Sequence, residues 1–181
     1  MARDQQRQER IERLKAVVRE VPDFPKKGIS FKDITTLIRD GACFSDAVDL
    51  LVEDVFSYEA DVIMSAEARG FVVGAAMAPR LNCGLILVRK PGKLPWKTIS
   101  MTYELEYGTD TLEMHEDSLQ AGERVLIVDD VLATGGTVAA LIQLVKQSQA
   151  VPVAACFLAE LSFLKGRDKL EGIPVHSLIT Y

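Results

Sequence analysis

One stretch in the second half of the chain combines a predicted buried strand, two acids, a loop of small residues and the start of a helix. Residues 125–128 are all apolar, which is typical of a strand buried on both faces of a parallel sheet. Asp129 and Asp130 follow directly, and residues 131–137 supply two glycines and two threonines. From Val138 onward apolar residues recur at spacings of three and four, which predicts a helix. The stretch therefore predicts a strand–loop–helix unit of an α/β protein.

This unit has the chemistry of a site for a phosphorylated sugar. Ligands of open parallel sheets bind beyond the carboxyl ends of the strands. Gly135 and Gly136 let the backbone approach an anion closely, and the helix start and the hydroxyls of Thr134 and Thr137 supply donors. The two carboxylates would repel phosphate, but they can accept hydrogen bonds from sugar hydroxyls or lie near a cation. The pattern favours a ribose 5-phosphate over a plain glycine turn with two helix-capping acids, and it is neither a Walker nor a GxGxxG motif.

Composition narrows the class of protein further. A chain of 181 residues is expected to form one domain. A net charge of −5 argues against broad binding to nucleic acid or an anionic membrane, so phosphate binding must be local. Cys43, Cys83 and Cys156 lack CxxC spacing and are expected to be small apolar residues in a reducing compartment. We expect no signal peptide, no membrane span and, with two distant histidines, no zinc site.

Predicted strands and helices alternate along most of the chain, which indicates a mainly parallel α/β sheet flanked by helices. The predicted strands cover residues 61–65, 84–88, 125–128, 151–158 and 175–179, and the predicted helices cover 3–21, 45–56, 71–81, a stretch from 138, and 162–170. Ser45 or Asp46 would cap the second helix, Pro79 could end the third early, and the last would expose Arg167 and its charged neighbours. A short strand at 29–34 and a hairpin of 98–103 with 109–114 do not fit the alternation, and we expect them to form a small hood over the carboxyl edge of the sheet.

Three other segments carry candidate binding residues. Arg69 lies at a strand-to-helix junction, where a guanidinium can hold phosphate through two hydrogen bonds, although a surface salt bridge is also credible without further context. Arg89, Lys90 and Lys93 form a positive patch that suits pyrophosphate, but taken alone the patch is better explained as ordinary surface charge. Phe31 is either a core residue or a flat surface for stacking, and taken alone the core is favoured.

The connection between the two hairpin strands contains two glutamates, Glu104 and Glu106. A carboxylate on a lid that closes over a site can act as a general acid or base. Composition does not distinguish the two glutamates.

Five motifs in this order and spacing resemble the type I phosphoribosyltransferases, and specifically those that act on adenine, over nearly the whole chain. The motifs are Pro22-Asp23-Phe24-Pro25 with Gly28 and Phe31-Lys32-Asp33-Ile34; Glu67-Ala68-Arg69-Gly70-Phe71; Arg89-Lys90-Pro91-Gly92-Lys93-Leu94-Pro95; Leu105-Glu106-Tyr107-Gly108; and Val128-Asp129-Asp130 through Thr137. Two positions depart from the family pattern: Ala68 stands where many relatives have Ser, and Lys32 stands where Arg is frequent.

The resemblance implies a reaction and a set of site residues. Adenine and phosphoribosyl pyrophosphate would give AMP and pyrophosphate, with Mg²⁺ carried by phosphoribosyl pyrophosphate and no metal ligands assigned to the protein. Phosphoribosyl pyrophosphate would be bound by Asp129, Asp130, Ala133, Thr134, Gly135, Gly136, Thr137, Arg69, Arg89 and Lys93. Adenine would be bound by Ser30, Phe31 and Lys32, with Phe31 stacked on the base. The catalytic residues would be Glu106, which handles a proton on the imidazole side of the purine, with Tyr107 and Arg69.

The resemblance also implies an organisation and a setting. One phosphoribosyltransferase domain would span residues 1–181, with a hood from about 22–40 plus part of the chain ends and a mobile lid at about 95–113. A cytoplasmic homodimer is expected, with Arg89 as a candidate residue of the neighbouring site, and without nucleic-acid or membrane partners.

Two alternatives stay open at this point. Some proteins of this fold sense phosphoribosyl pyrophosphate and regulate through nucleic acid, but the charge of this chain and its single predicted domain disfavour that function. A transferase for hypoxanthine, guanine or xanthine is disfavoured by residues 105–108 together with the Phe31 region.

Replacing Glu106 with Gln tests the lid hypothesis. The amide keeps the size of the side chain but cannot exchange a proton with the purine, so turnover should fall strongly. Binding of phosphoribosyl pyrophosphate should stay close to that of the parent protein. Steady-state rates and a titration with phosphoribosyl pyrophosphate measure the two quantities, and unchanged turnover would remove the proposed role.

Overall fold

The computed structural model describes residues 2–24, 26–104, 109–170 and 172–181. The backbone divides into two compact units, Met1–Leu50 and Leu51–Tyr181. Among the described residues no helix is both long and apolar enough to cross a membrane.

The first unit is mainly helical. Its elements are α1 (Ala2–Val17), β1 (Arg19–Val21), β2 (Phe31–Asp33), α2 (Thr35–Arg39) and the start of α3 (Gly41–Val55). The predicted helix over 3–21 was wrong at its end, because residues 19–21 leave the helix and pair antiparallel with residues 31–33. Leu14 and Leu37 are fully buried in this unit.

The start of α3 also differs from the prediction. Asp40, rather than Ser45 or Asp46, caps the helix, since its Oδ1 accepts hydrogen bonds from the backbone N–H groups of Ala42 and Cys43 at 3.0 and 2.9 Å. Asp46 lies inside the helix, where its carboxylate pairs with arginines of α1.

The second unit contains the predicted parallel sheet. Its elements are β3 (Val62–Ala66), α4 (Arg69–Leu81), β4 (Gly84–Val88), β5 (Thr98–Glu104), β6 (Thr109–His115), β7 (Arg124–Leu132), α5 (Gly136–Gln147), β8 (Val151–Glu160) and β9 (Val175–Thr180). The five-stranded sheet has the order β4-β3-β7-β8-β9, and all its pairs are parallel. β7 is thus the central strand, and its apolar residues 125–128 are fully buried because helices cover the sheet.

Two details of the helices depart from expectation. α4 continues past Pro79 to Leu81, so the proline does not end it early. Residues 162–170 form two short 3₁₀ turns, Ser162–Leu164 and Gly166–Lys169, instead of one helix. Lys165, between them, has a φ of +52°, which an α-helix does not accommodate.

The predicted hairpin is present as β5 and β6, paired antiparallel from Thr98 opposite His115 to Glu104 opposite Thr109. Its base is part of the core, since Leu112 and Met114 are buried with the sheet residues. Arg89, just after β4, exchanges two backbone hydrogen bonds with Glu113 at 2.8 and 2.7 Å. Residues 105–108 at the tip lie outside the described residues, so the mobile lid stays a prediction.

Candidate active site

The carboxyl end of β7 carries the predicted loop. β7 extends to Leu132, so the acid pair lies within the end of the strand rather than after it, with Asp129 opposite Phe157 of β8. α5 begins at Gly136 instead of 138. The loop and the first turn of α5 line a cavity of about 60 Å³, formed by Asp129, Val131, Leu132, Ala133, Thr134, Gly135, Gly136, Thr137 and Val138. We call residues 133–137 the phosphate loop.

Gly135 gives this loop its shape. Its φ is +77°, in the left-handed region that favours glycine, and it immediately precedes α5. A Cβ atom at this position would collide with the carbonyl oxygen of Gly166. The turn leads directly into α5. The first N–H groups of this helix have no acceptor within the helix. Together with the helix dipole, these groups make the loop suited to a phosphate.

The two acids are buried beside each other, with Asp129 9% and Asp130 7% exposed. The backbone N–H of Asp130 donates to Oδ1 of Asp129 at 2.9 Å. Burial, and then the charge of Asp130, raise the pKa of Asp129 well above its usual range. Nε of Arg69 lies 2.5 Å from Oδ2 of Asp130, so this predicted phosphate contact is also the charge partner of the acid pair.

The start of α4 packs directly on the acid pair. A Cβ atom at Gly70 would lie 2.6 Å from Oδ1 of Asp129, a separation that forbids a side chain unless the carboxylate moves. Glycine after Arg69 therefore lets the helix begin close enough for the arginine to reach Asp130.

Two residues of the predicted positive patch pair with the same carboxylate, that of Glu67. Nε of Arg89 lies 2.9 Å from Oε2 of Glu67, and Nζ of Lys93 lies 2.8 Å from Oε1 of the same side chain. Hydrogen bonding from Lys93, and then from Arg89, lowers the pKa of Glu67 despite its burial. Lys90 instead pairs with Asp110 of β6 at 3.0 Å. The structure thus brings Arg89 and Lys93 together beyond the ends of β3 and β4, which are neighbouring strands.

Sequence reasoning missed a link between the hairpin and the phosphate loop. The hydroxyls of Tyr103 and Thr137 lie 3.3 Å apart, and burial raises the pKa of Tyr103. The alternation of β5 places Tyr103 on the same face as Ile99 and Met101, and all three pack against the core. That alternation was a usable signal for an inward-facing Tyr103.

The predicted adenine-binding residues come together in the first unit. Phe31 is half-buried and contacts Phe24 edge to face, with 5.2 Å between ring centroids. Nζ of Lys32 lies 2.8 Å from Oε1 of Glu20, and the hydroxyl of Ser30 hydrogen-bonds the same carboxylate. Glu106 and Tyr107 lie outside the described residues.

Comparison with known proteins agrees with this geometry. Residues 40–172 match the phosphoribosyl transferase domain family. An adenine phosphoribosyltransferase from Syntrophotalea carbinolica is 56% identical over 94% of this chain and 100% of its own length. The chain belongs to the adenine phosphoribosyltransferase family. The crystal structure of an adenine phosphoribosyltransferase from Thermoanaerobacter pseudethanolicus has a TM-score of 0.92 at 50% identity, covering 94% of this chain and 99% of that one.

A further adenine phosphoribosyltransferase structure contains ligands. The enzyme from Saccharomyces cerevisiae, complexed with adenine and an imino-altritol bisphosphate, is 40% identical, with a TM-score of 0.88 over 94% of this chain and 98% of that one. The family resemblance and the predicted type I phosphoribosyltransferase fold are therefore confirmed.

Replacing Asp129 with Asn should change how stability depends on pH. The unfolded carboxyl ionises near pH 4, whereas burial raises the pKa of the folded one. The parent protein therefore loses stability as pH rises from about 4 until the folded-state pKa is passed. The amide escapes this loss and its oxygen can still accept from Asp130 N–H, so the variant should gain stability relative to the parent over that range. Urea unfolding at several pH values measures the difference.

Asp110→Asn is the matched control. Lys90 lowers the pKa of Asp110, so the stability from this carboxylate is complete above its unfolded value and is lost only at lower pH. Between pH 5 and 7 this variant should therefore show a constant deficit. An Asp129→Asn difference that is equally flat from pH 4 to 7 would contradict the raised pKa of Asp129.

Proposed function

We propose that the acid pair and the phosphate loop form the phosphoribosyl-pyrophosphate site with which this chain performs purine salvage. The reaction transfers the 5-phosphoribosyl group to adenine and gives AMP and pyrophosphate. The observation that carries the proposal is the adjacency of two buried carboxylates and a glycine loop with hydroxyl donors at the end of one central strand.

Different residues of the site bind the 5-phosphate and the ribose of phosphoribosyl pyrophosphate. Backbone N–H groups of residues 133–137 and the hydroxyls of Thr134 and Thr137 bind the 5-phosphate. Asp129 and Asp130 accept hydrogen bonds from the ribose hydroxyls, an interaction that favours the ionised form of Asp129 and opposes the effect of its burial.

Positively charged side chains bind the pyrophosphate end of the substrate. Arg69, Arg89 and Lys93 stabilise the charge that develops on the departing pyrophosphate. In the described structure these cations pair with Asp130 and Glu67, so pyrophosphate competes with two carboxylates for them. This competition favours release of pyrophosphate after the transfer.

The reaction needs protection from water but no covalent nucleophile. The anomeric carbon becomes oxocarbenium-like as pyrophosphate leaves, and the purine nitrogen attacks from the opposite face. Water would capture this cation, so closure of the hairpin tip with Glu106 and Tyr107 excludes solvent. Glu106 handles the proton on the imidazole side of the base.

The first unit supplies the base specificity. Phe31 stacks on adenine, and the backbone at Ser30 and Lys32 reads the edge of the base. The contact of Phe31 with Phe24 supports this role because it fixes the ring while leaving it half-exposed.

Mg²⁺ enters with phosphoribosyl pyrophosphate as part of the substrate. No group of three or more His, Cys, Asp or Glu side chains among the described residues could hold a metal ion. The carboxylate oxygens of Asp129 and Asp130 have the chemistry that Mg²⁺ prefers, and an ion bound to the substrate would supply further positive charge for the leaving pyrophosphate. The protein functions as a cytoplasmic homodimer in which Arg89 reaches the neighbouring site.

A product assay tests the proposed function. The protein is incubated with phosphoribosyl pyrophosphate and Mg²⁺, adenine, hypoxanthine, guanine, xanthine and uracil are offered separately, and nucleotides are identified by mass. AMP from adenine alone is expected. Product from another base would contradict the adenine pocket, and no product from folded protein that binds phosphoribosyl pyrophosphate would favour a regulator.

A further inference from the structure

The segment after β8 contacts the phosphate loop, although none of the family motifs includes it. A Cβ atom at Gly135 would collide with the carbonyl oxygen of Gly166, and a Cβ atom at Gly166 would collide with the carbonyl oxygen of Ala133. The Cβ at Gly166 would also lie 3.1 Å from the backbone N of Gly135. The two backbones therefore touch at a spacing that requires glycine on both sides.

An ion pair between Arg167 and the buried Glu160 fixes the position of Gly166. Its neighbour Arg167 donates from Nε to Oε1 of Glu160 at 2.7 Å and from Nη2 to Oε2 at 2.6 Å. Glu160 is the last residue of β8 and only 4% exposed. Nη1 of Arg167 also donates to the carbonyl oxygen of Val175 in β9 at 2.8 Å. Arg167 is exposed, as predicted, but its guanidinium is anchored to the ends of two strands of the sheet.

The chain on either side of Gly166 is held as well. The N–H of Leu161 donates to the carbonyl oxygen of Leu132 at 2.9 Å, which joins the ends of β8 and β7. Leu170, at the other end of the segment, is 2% exposed and belongs to the core. Gly166 is thus fixed to the same sheet whose central strand carries the phosphate loop.

We infer that Glu160 and Arg167 are positioning residues that hold the backbone of Gly166 against the phosphate loop and thereby set the affinity for 5-phosphate groups. The bidentate geometry is essential to this role, because two parallel hydrogen bonds fix the direction of the guanidinium and of the adjoining backbone. In the proposed function adenine and pyrophosphate bind away from the phosphate loop, so the effect is selective for phosphoribosyl pyrophosphate and AMP. The inference rests on the proposed function.

The first test uses Gly166→Ala, which pushes on the phosphate loop directly. A misplacement of about 1 Å can cost roughly 100-fold in reaction rate, and we expect a loss of similar size when the phosphate-binding N–H groups are displaced. KM for phosphoribosyl pyrophosphate in the forward reaction and KM for AMP in the reverse reaction should therefore rise about 10- to 100-fold. KM for adenine and KM for pyrophosphate should stay within about twofold, because a remote site keeps its geometry. Gly84→Ala is the matched control, since a Cβ there would meet only Val62 at an ordinary 3.5 Å.

The second test uses Arg167→Lys, which keeps the positive charge but cannot make the two parallel hydrogen bonds of a guanidinium. The same two KM values should rise, by less than in Gly166→Ala, together with the dissociation constant for ribose 5-phosphate measured by calorimetry. Arg124→Lys is its control, because Arg124 donates to backbone oxygens of Tyr58 and Glu59 from the opposite, amino end of β7. This conservative variant carries the test if Gly166→Ala does not fold.

The outcomes are separable. A selective loss of affinity for the phosphorylated ligands supports the inference. Unchanged KM values in folded Arg167→Lys, or equal losses for all four ligands, would overturn it and leave a structural role only. If the parent protein makes no AMP, the proposed function fails, and binding of ribose 5-phosphate to the variants still decides the role of Glu160 and Arg167.

Discussion

Two adjacent carboxylates buried at the end of the central strand are the constraint on which the rest of the site depends. Burial of like charges side by side is unfavourable, and it raises the pKa of Asp129. The neighbouring elements reduce the cost: Arg69 pairs with Asp130, and Gly70 lets α4 begin against Asp129. A fold selected for stability alone would not place these acids here, so their burial indicates a binding requirement.

The phosphate loop depends on a second constraint, the close approach of two backbones. Gly135 turns the chain into α5, and Gly166 supports that turn from the next connection along the sheet. A loop that binds an anion through backbone N–H groups must keep those groups in place without side chains that would fill the site. Contact with a neighbouring loop, itself fixed by the ion pair of Arg167 with the buried Glu160, meets this need.

Local patterns predicted the centre of the protein well. The apolar run 125–128, the acids and the glycines led to the correct order of strand, loop and helix, because their chemistry is local in sequence. Long-range contacts could not be predicted in the same way. Residues 19–21 form a strand only because residues 31–33 pair with them, and the charges at 165–169 suggested a solvated helix because nothing local indicates the partner of Arg167. Tyr103 and its contact with Thr137 were missed for the same reason, although the alternation of β5 indicated its face.

A crystal structure with ribose 5-phosphate would show directly which part of the protein binds the 5-phosphate, since this ligand lacks both the base and pyrophosphate. We expect the phosphate to lie within hydrogen-bonding distance of the backbone N–H groups of residues 133–137, with the ribose hydroxyls at Asp129 and Asp130. A phosphate bound instead at Arg89 and Lys93, with the loop after β7 unoccupied, would show that the phosphate loop is not the 5-phosphate site.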